Sequence, residues 1–324
     1  MNTQQLYKAR KTVRAIDKGV DTLLLTCAVL VVIVAAFHYW DTNRIFSEGD
    51  AATYAEFKPT IDDTKSFEEL QEINPDVIAW VTVYGTKIDH PVVQGKNNVE
   101  YLNKDVFGRT SLGGAIFLDS QNNPDFEDYN SIIHGHHMQE SAMFGNLDLF
   151  VDEEFFLSRK YGNLFFNGDD HGLEFFIFVE TTGYDFDVFK PGVAYGAPAQ
   201  AYLADLYTKA IWTRDIGIQP DDQIVLLATC TSDLDNRRTN GRHILVARLT
   251  DEVFENTFLE EEPEPTVFEW SRGLLDGQMV PFCFTLLMLL ALLIVLWTKQ
   301  QKKIKEQQQR QVDAATKGEN DAQV

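Results

Sequence analysis

Two stretches of about twenty apolar residues, Val20 to Trp40 and Met279 to Trp297, stand near the ends of the chain, each long enough to cross a bilayer. Between them the pattern shortens to runs rich in β-branched and aromatic residues: Val77 to Tyr84, Ile88 to Val93, Ala115 to Leu118, Ser131 to His134, Leu164 to Phe166 and Leu173 to Thr181. Turn-forming residues separate them, as in Tyr84-Gly85-Thr86 and Asn167-Gly168-Asp169-Asp170. Two further runs, Ile224 to Ala228 and Ile244 to Leu249, flank a polar loop. Eight short strands predict a closed β-barrel or a sandwich. Helical patterns are few. Ser66-Phe67-Glu68-Glu69-Leu70 has the spacing of a capping box, and Asn74-Pro75-Asp76 ends that helix. Phe144 to Phe150 with Glu153 to Leu157 reads as short helices, and Pro198 to Trp212 as one amphipathic helix with proline in its first turn.

Charge orients this arrangement. Lys8, Arg10, Lys11, Arg14 and Lys18 precede the first apolar segment, and Lys299, Lys302, Lys303, Lys305 and Arg310 follow the second. The positive-inside rule puts both tails in the cytoplasm and the intervening chain outside. The first segment ends in Phe37-His38-Tyr39-Trp40 with no small-x-small site, which favours an anchor over a cleaved signal. The expected organisation is a cytoplasmic tail over 1–19, a transmembrane helix over 20–40, a linker or helix over 41–65 and an exterior domain over 66–258. A spacer over 259–278, a second transmembrane helix over 279–298 and a tail over 299–324 complete it. Of the 49 acidic residues, 43 lie between Asp41 and Gln278, against 17 basic ones. Such a surface argues against nucleic acid as a partner and suits a cationic partner or plain solubility equally. No acidic cluster has calcium-loop spacing.

The candidate chemistry is a thiol. Cys27 and Cys283 fall in the apolar segments, so Cys230 is the one cysteine of the exterior domain, where cysteines ordinarily pair as disulfides. It ends one predicted strand, and Arg242 opens the next, which sets a nucleophile and a cation at one mouth, as acyl transfer needs. Arg237 and Arg238 in the intervening loop are rivals for that cation. A base is offered by His134-Gly135-His136-His137 at the end of another strand, and either His134 or His136 is placed to meet Cys230. Three histidines in four residues also raise zinc, but adjacent residues rarely converge on one ion.

These residues resemble those of the sortases, membrane-anchored cysteine transpeptidases of Gram-positive bacteria, and within them class B. The resemblance covers about Phe67 to Leu249. It rests on Leu227-Ala228-Thr229-Cys230 against the family's TLxTC, on Gly135-His136 after a strand, and on an arginine opening the last strand. Further class B features are Ile73-Asn74-Pro75-Asp76-Val77-Ile78-Ala79-Trp80, Ile88-Asp89-His90-Pro91-Val92-Val93-Gln94 and Tyr101-Leu102. Leu226 departs from the signature's threonine. The resemblance implies a mainly β fold: a closed eight-stranded barrel with N-terminal helices and one helix before the cysteine strand, flanked here by two transmembrane helices. It implies Cys230 as nucleophile, His136 as acid/base, Arg242 as substrate or oxyanion stabiliser, and Ala228 and Thr229 at the substrate. No cofactor or metal is implied. The implied reaction cleaves a C-terminal sorting signal of the NPxTx or LPxTG type through a thioester and joins the surface protein to a peptidoglycan-precursor amine. Because a second anchor is a feature of pilin-polymerising class C enzymes, a pilin lysine is the alternative acceptor. A metal-binding or wall-binding ectodomain without activity is the more distant alternative.

Overall fold

A computed structural model describes residues 3–60, 64–138, 142–230, 240–258, 296–304, 306 and 310. The second apolar segment, apart from its last two residues, lies outside these, as do the spacer before it, Arg237 and Arg238. Two units are distinct, one of residues 1–42 with 263–324 and one of residues 43–262.

In the first unit the helix α1 (Thr3–Glu48) begins, and its stretch Lys11–His38 is long and apolar enough to cross a membrane. Its Leu23, Ile33, Val34 and Phe37 are all more than half exposed, as a helix surrounded by lipid chains would be.

The second unit is built on nine strands: β1 (Val77–Val83), β2 (Asp89–Val93), β3 (Ile116–Leu118), β4 (Asn130–Gly135), β5 (Tyr161–Phe166), β6 (Asp169–Thr182), β7 (Ala210–Thr213), β8 (Ile224–Cys230) and β9 (Gly241–Thr250). Neighbours run β5-β1-β2-β3-β4-β8-β9-β6, and β5 also pairs with β6, closing an eight-stranded ring. The expected barrel is therefore present. Its connections are antiparallel except for β2–β3 and β4–β8.

Alternation along the strands explains three apolar clusters. Val81, Ile133, Val225, Leu227, Leu245 and Ala247 point into the barrel, while Ile132, Ile224, Leu226, Ile244 and Val246 point outward. The outward set packs under α4 (Ala197–Lys209) through Ala199, Tyr202 and Leu206. On the opposite wall Trp80, Val93, Phe117 and Phe165 are covered by Tyr54 of the 3-10 segment Ala51–Phe57 and by Phe67 and Leu70 of α2 (Lys65–Ile73). A β-bulge in β6 between Phe175 and Ile177 breaks the alternation, so that Phe175 and Phe178 face inward and Phe176 and Ile177 outward.

Two local expectations need correction. The helix read as Pro198 to Trp212 stops at Lys209, and Ala210–Thr213 is the ninth strand. β6 is fourteen residues long and pairs with β5 only over Asp169 to Glu174, so its remaining edge is free, and β7 takes it at Ile177 to Val179. The helix α2 starts one residue before Ser66, with Thr64 as cap residue, and the Ser66 hydroxyl donates to the Lys58 carbonyl rather than capping. The short helices came out as expected, a 3-10 helix Gly145–Val151 followed by α3 (Glu153–Ser158).

Candidate active site

β8 lies between β4 and β9, and the register brings the predicted residues to one end of the barrel. Gly135 is the partner of Thr229 in the parallel pair, and Cys230 is the partner of Arg242 in the antiparallel one. The Thr229 hydroxyl donates to the Gly135 carbonyl at 2.8 Å, tying the two strand ends together. His136 is the first residue beyond β4. Ala228 and Thr229 are each 2% exposed: Ala228 packs in the cluster under α4, and Thr229 spends its hydroxyl on the strand pairing. Their side chains thus serve the frame of the site rather than its open surface.

The three neighbouring histidines diverge. His136 Nε2 lies 3.0 Å from the Leu102 carbonyl oxygen, an acceptor, so this nitrogen carries the proton and Nδ1 is the ring's second position. His134 turns to Asp119, 3.2 Å from Nε2 to Oδ2, with its ring near those of Phe117 and Phe189. Burial pushes the Asp119 carboxyl up, but bonds from His134, the Gln121 amide and Asn98 outweigh it and hold the group below the usual aspartate range. His137 turns to Asp148, with Nε2 2.8 Å from Oδ2. These three directions do not converge as zinc ligands would.

Two glycines make room for the polar groups. Gly114 has φ +64°, and a Cβ there would lie 2.7 Å from the Tyr101 carbonyl oxygen and 2.9 Å from His136 Cδ2. Gly183, just after β6, donates its amide to Asn240, and a Cβ on it would meet Asn240 Nδ2 at 2.5 Å and Arg242 Nη2 at 3.0 Å. Asn240 itself stands at φ +77°, a left-handed conformation that asparagine tolerates. Arg242 is half-buried, and its Nη1 donates to the Gly241 carbonyl at 2.9 Å. Among the described residues no carboxylate pairs with it. The turn after β6 is fixed from below: Asp185 accepts from the Thr181 hydroxyl and from Lys209 at the end of α4. Leu102, Asp119, Asp148, Gly114 and Gly183 carry no local sequence signal for a site. Tyr101-Leu102 belongs to a class B pattern, yet a backbone carbonyl has no side-chain signature.

A barrel that ends in a strand-end cysteine beside an arginine, with a histidine just beyond the end of the adjoining strand, defines the class of cysteine transpeptidases. A family model described as the sortase domain matches residues 81–250. The chain belongs to the sortase family, and its relatives are of class B. It is 29% identical over 181 residues to Sortase B of Listeria monocytogenes, covering 56% of this chain and 72% of that protein. Among solved structures, sortase B from the Type II pilus of Streptococcus pneumoniae is 46% identical with a TM-score of 0.50, covering 57% of this chain and 99% of that one. Sortase B of Clostridium perfringens is 34% identical with a TM-score of 0.53, covering 57% and 100%.

Proposed function

We propose that this sortase cleaves a C-terminal sorting signal of the NPxTx or LPxTG type through a thioester on Cys230 and passes the acyl group to an amine. The observation that carries this reading is the register of β8, which pairs Cys230 with Arg242 on one side and Thr229 with Gly135, next to His136, on the other. The Cys230 thiolate attacks the scissile carbonyl carbon, and Arg242 stabilises the developing oxyanion. His136, its Nε2 held by Leu102, gives a proton from Nδ1 to the leaving amine as the C–N bond breaks. The incoming amine returns a proton to Nδ1, attacks the thioester carbon and releases the thiolate.

For the acceptor, class B resemblance over the whole domain favours a peptidoglycan-precursor amine. A specific observation favours a pilin lysine: the relative described by its Type II pilus in Streptococcus pneumoniae is 46% identical, whereas the Clostridium perfringens, Listeria and Staphylococcus aureus Sortase B proteins are 34%, 29% and 28%. We rank the pilin lysine first on that difference. The domain sits outside the cell on two membrane passes with both termini cytoplasmic; the apolar helix of α1 supports the first of these.

The test incubates full-length protein in detergent with peptides of both signal types and with either a short glycine or diaminopimelate amine or a lysine-bearing pilin domain. A thioester on Cys230 by intact mass and an isopeptide bond to lysine are expected. A thioester that persists in Cys230→Ala would overturn the nucleophile, and transfer to the wall-type amine alone would reverse the ranking of acceptors.

A further inference from the structure

The residue after His136 and the residue after Arg242 meet on one carboxylate. His137 Nε2 lies 2.8 Å from Asp148 Oδ2, and His243 Nδ1 lies 2.7 Å from Asp148 Oδ1. Asp148 belongs to the 3-10 segment Gly145–Val151, separate from both strands. His243 is the partner of Thr229 in the β8–β9 pair, so it stands one position along from Arg242 and Cys230. It is 6% exposed, with its ring against that of Phe178 at 5.3 Å, which leaves the imidazole little freedom to turn away. His137 is further held by a bridge to Met143, which closes the loop that follows His136.

We infer that Asp148 is a positioning residue for transpeptidation: it bonds His137 and His243 together and so fixes the His136 end of β4 against the Arg242 end of β9, with the cysteine strand between them. This rests on the roles proposed above for Cys230, His136 and Arg242. The chemistry favours a carboxylate at this point. Two ring N–H groups arrive from opposite sides, and an ionised aspartate is acceptor-only, so each oxygen takes one of them in a charge-assisted bond. An asparagine has one acceptor oxygen, and its NH2 would face the other donor. The backbone pairing β4–β8–β9 already sets the strand ends to a coarse register. What the carboxylate adds is the position of the loop beyond β4, where the strand hydrogen bonds stop.

The decisive experiment compares full-length wild type with Asp148→Asn, His137→Ala, His243→Ala, and the donor-retaining variants His137→Gln and His243→Asn, whose amide nitrogens stand near the places of Nε2 and Nδ1. Cleavage of internally quenched NPxTx and LPxTG peptides gives kcat and KM. Iodoacetamide capture of Cys230, located by peptide mass and referenced to added glutathione, reports the thiol without a substrate. Thermal unfolding reports the fold. Misplacement of a reacting group by about 1 Å costs on the order of a hundredfold. Asp148→Asn and both Ala variants are therefore expected to lose kcat by about tenfold to a hundredfold with KM little changed, and to slow Cys230 capture, while still unfolding cooperatively. The Gln and Asn variants should recover most of that loss, because the N–H donor and not the ring is what Asp148 needs. If Asp148→Asn does not fold, the Gln-against-Ala and Asn-against-Ala comparisons decide by the same criterion. Unchanged kcat and capture in Asp148→Asn, or Gln and Asn variants as poor as the Ala ones, would overturn the inference. Absence of a Cys230 thioester in the wild type would instead reject the sorting reaction on which it rests.

Discussion

His134 and His136 are two residues apart and chemically identical, and their partners separate their roles. His134 is spent on Asp119, whereas His136, among the described residues, is held through Nε2 by a backbone carbonyl. His136→Ala should therefore lower turnover by about 10²- to 10⁴-fold, the usual worth of a general acid–base, and His134→Ala should leave most of it; steady-state peptide cleavage checks both. Equal losses would assign the proton transfer to the wrong ring. Arg242→Lys should also fail, by about 3 kcal/mol in the barrier, since an ammonium does not reproduce the planar fork beside the oxyanion. Gly114→Ala joins a left-handed φ of +64° to a clash with the His136 ring and the Tyr101 carbonyl. It should cost activity well beyond its cost in melting temperature, measured on the same preparation. Cys230, the pair His134 and His136, and Arg242 could be nominated from sequence because a lone exterior thiol, strand-end histidines and a strand-opening arginine are local signals, and only the family resemblance chose His136 within the pair. Asp148 could not be nominated so. It meets His243 across 95 positions of chain, and nothing in the residues around it distinguishes it from the other acidic side chains of an acidic domain.

Strands of alternating or wholly apolar β-branched residues announce themselves, which is why the eight strands of the ring could be read from sequence. The ninth could not, because Ala210–Thr213 continues the apolar spacing of α4 and becomes a strand only through the edge that β5 leaves open on β6. Tertiary context overrode a local pattern there. The segment Ala51–Phe57 shows the same dependence, since its Tyr54 is buried only because it lies against β2 and the Phe107 ring. Beneath it His90 is buried, its Nε2 makes no hydrogen bond with any described residue, and burial lowers its pKa from 6.5 to about 4. Between these two values the unfolded chain binds a proton that the native chain refuses, so stability is whole above pH 6.5 and falls as the pH drops toward 4. The loss over that span is about 3 kcal/mol. His90→Phe should flatten that part of the curve in urea unfolding at a series of pH values. A variant curve parallel to the wild type would show that another group carries the dependence.

At the scale of the whole chain, the two membrane passes proposed above predict opposite fates for its parts. Protease added to intact cells should digest residues between the anchors and spare an epitope fused after Val324; digestion of that epitope would reduce the protein to a single pass. The acidic excess between Asp41 and Gln278 should also make the rate of transfer to a cationic amine fall as salt is raised, since screening shortens the reach of the field. The parallel β4–β8 pair has a consequence in time as well as space. It joins Gly135 to Thr229 across 94 residues, and with them the flanks of the thiol and its proposed base. Contacts this distant in sequence are slow to form, because the entropy of closing so long a loop is lost before the pairing returns it. An exported chain can therefore hold most of its hairpins and still carry a cysteine with only the reactivity of a free thiol. On the roles proposed above, the onset of thioester formation on Cys230 during refolding becomes a clock for barrel closure, and sorting stays silent until the fold is complete.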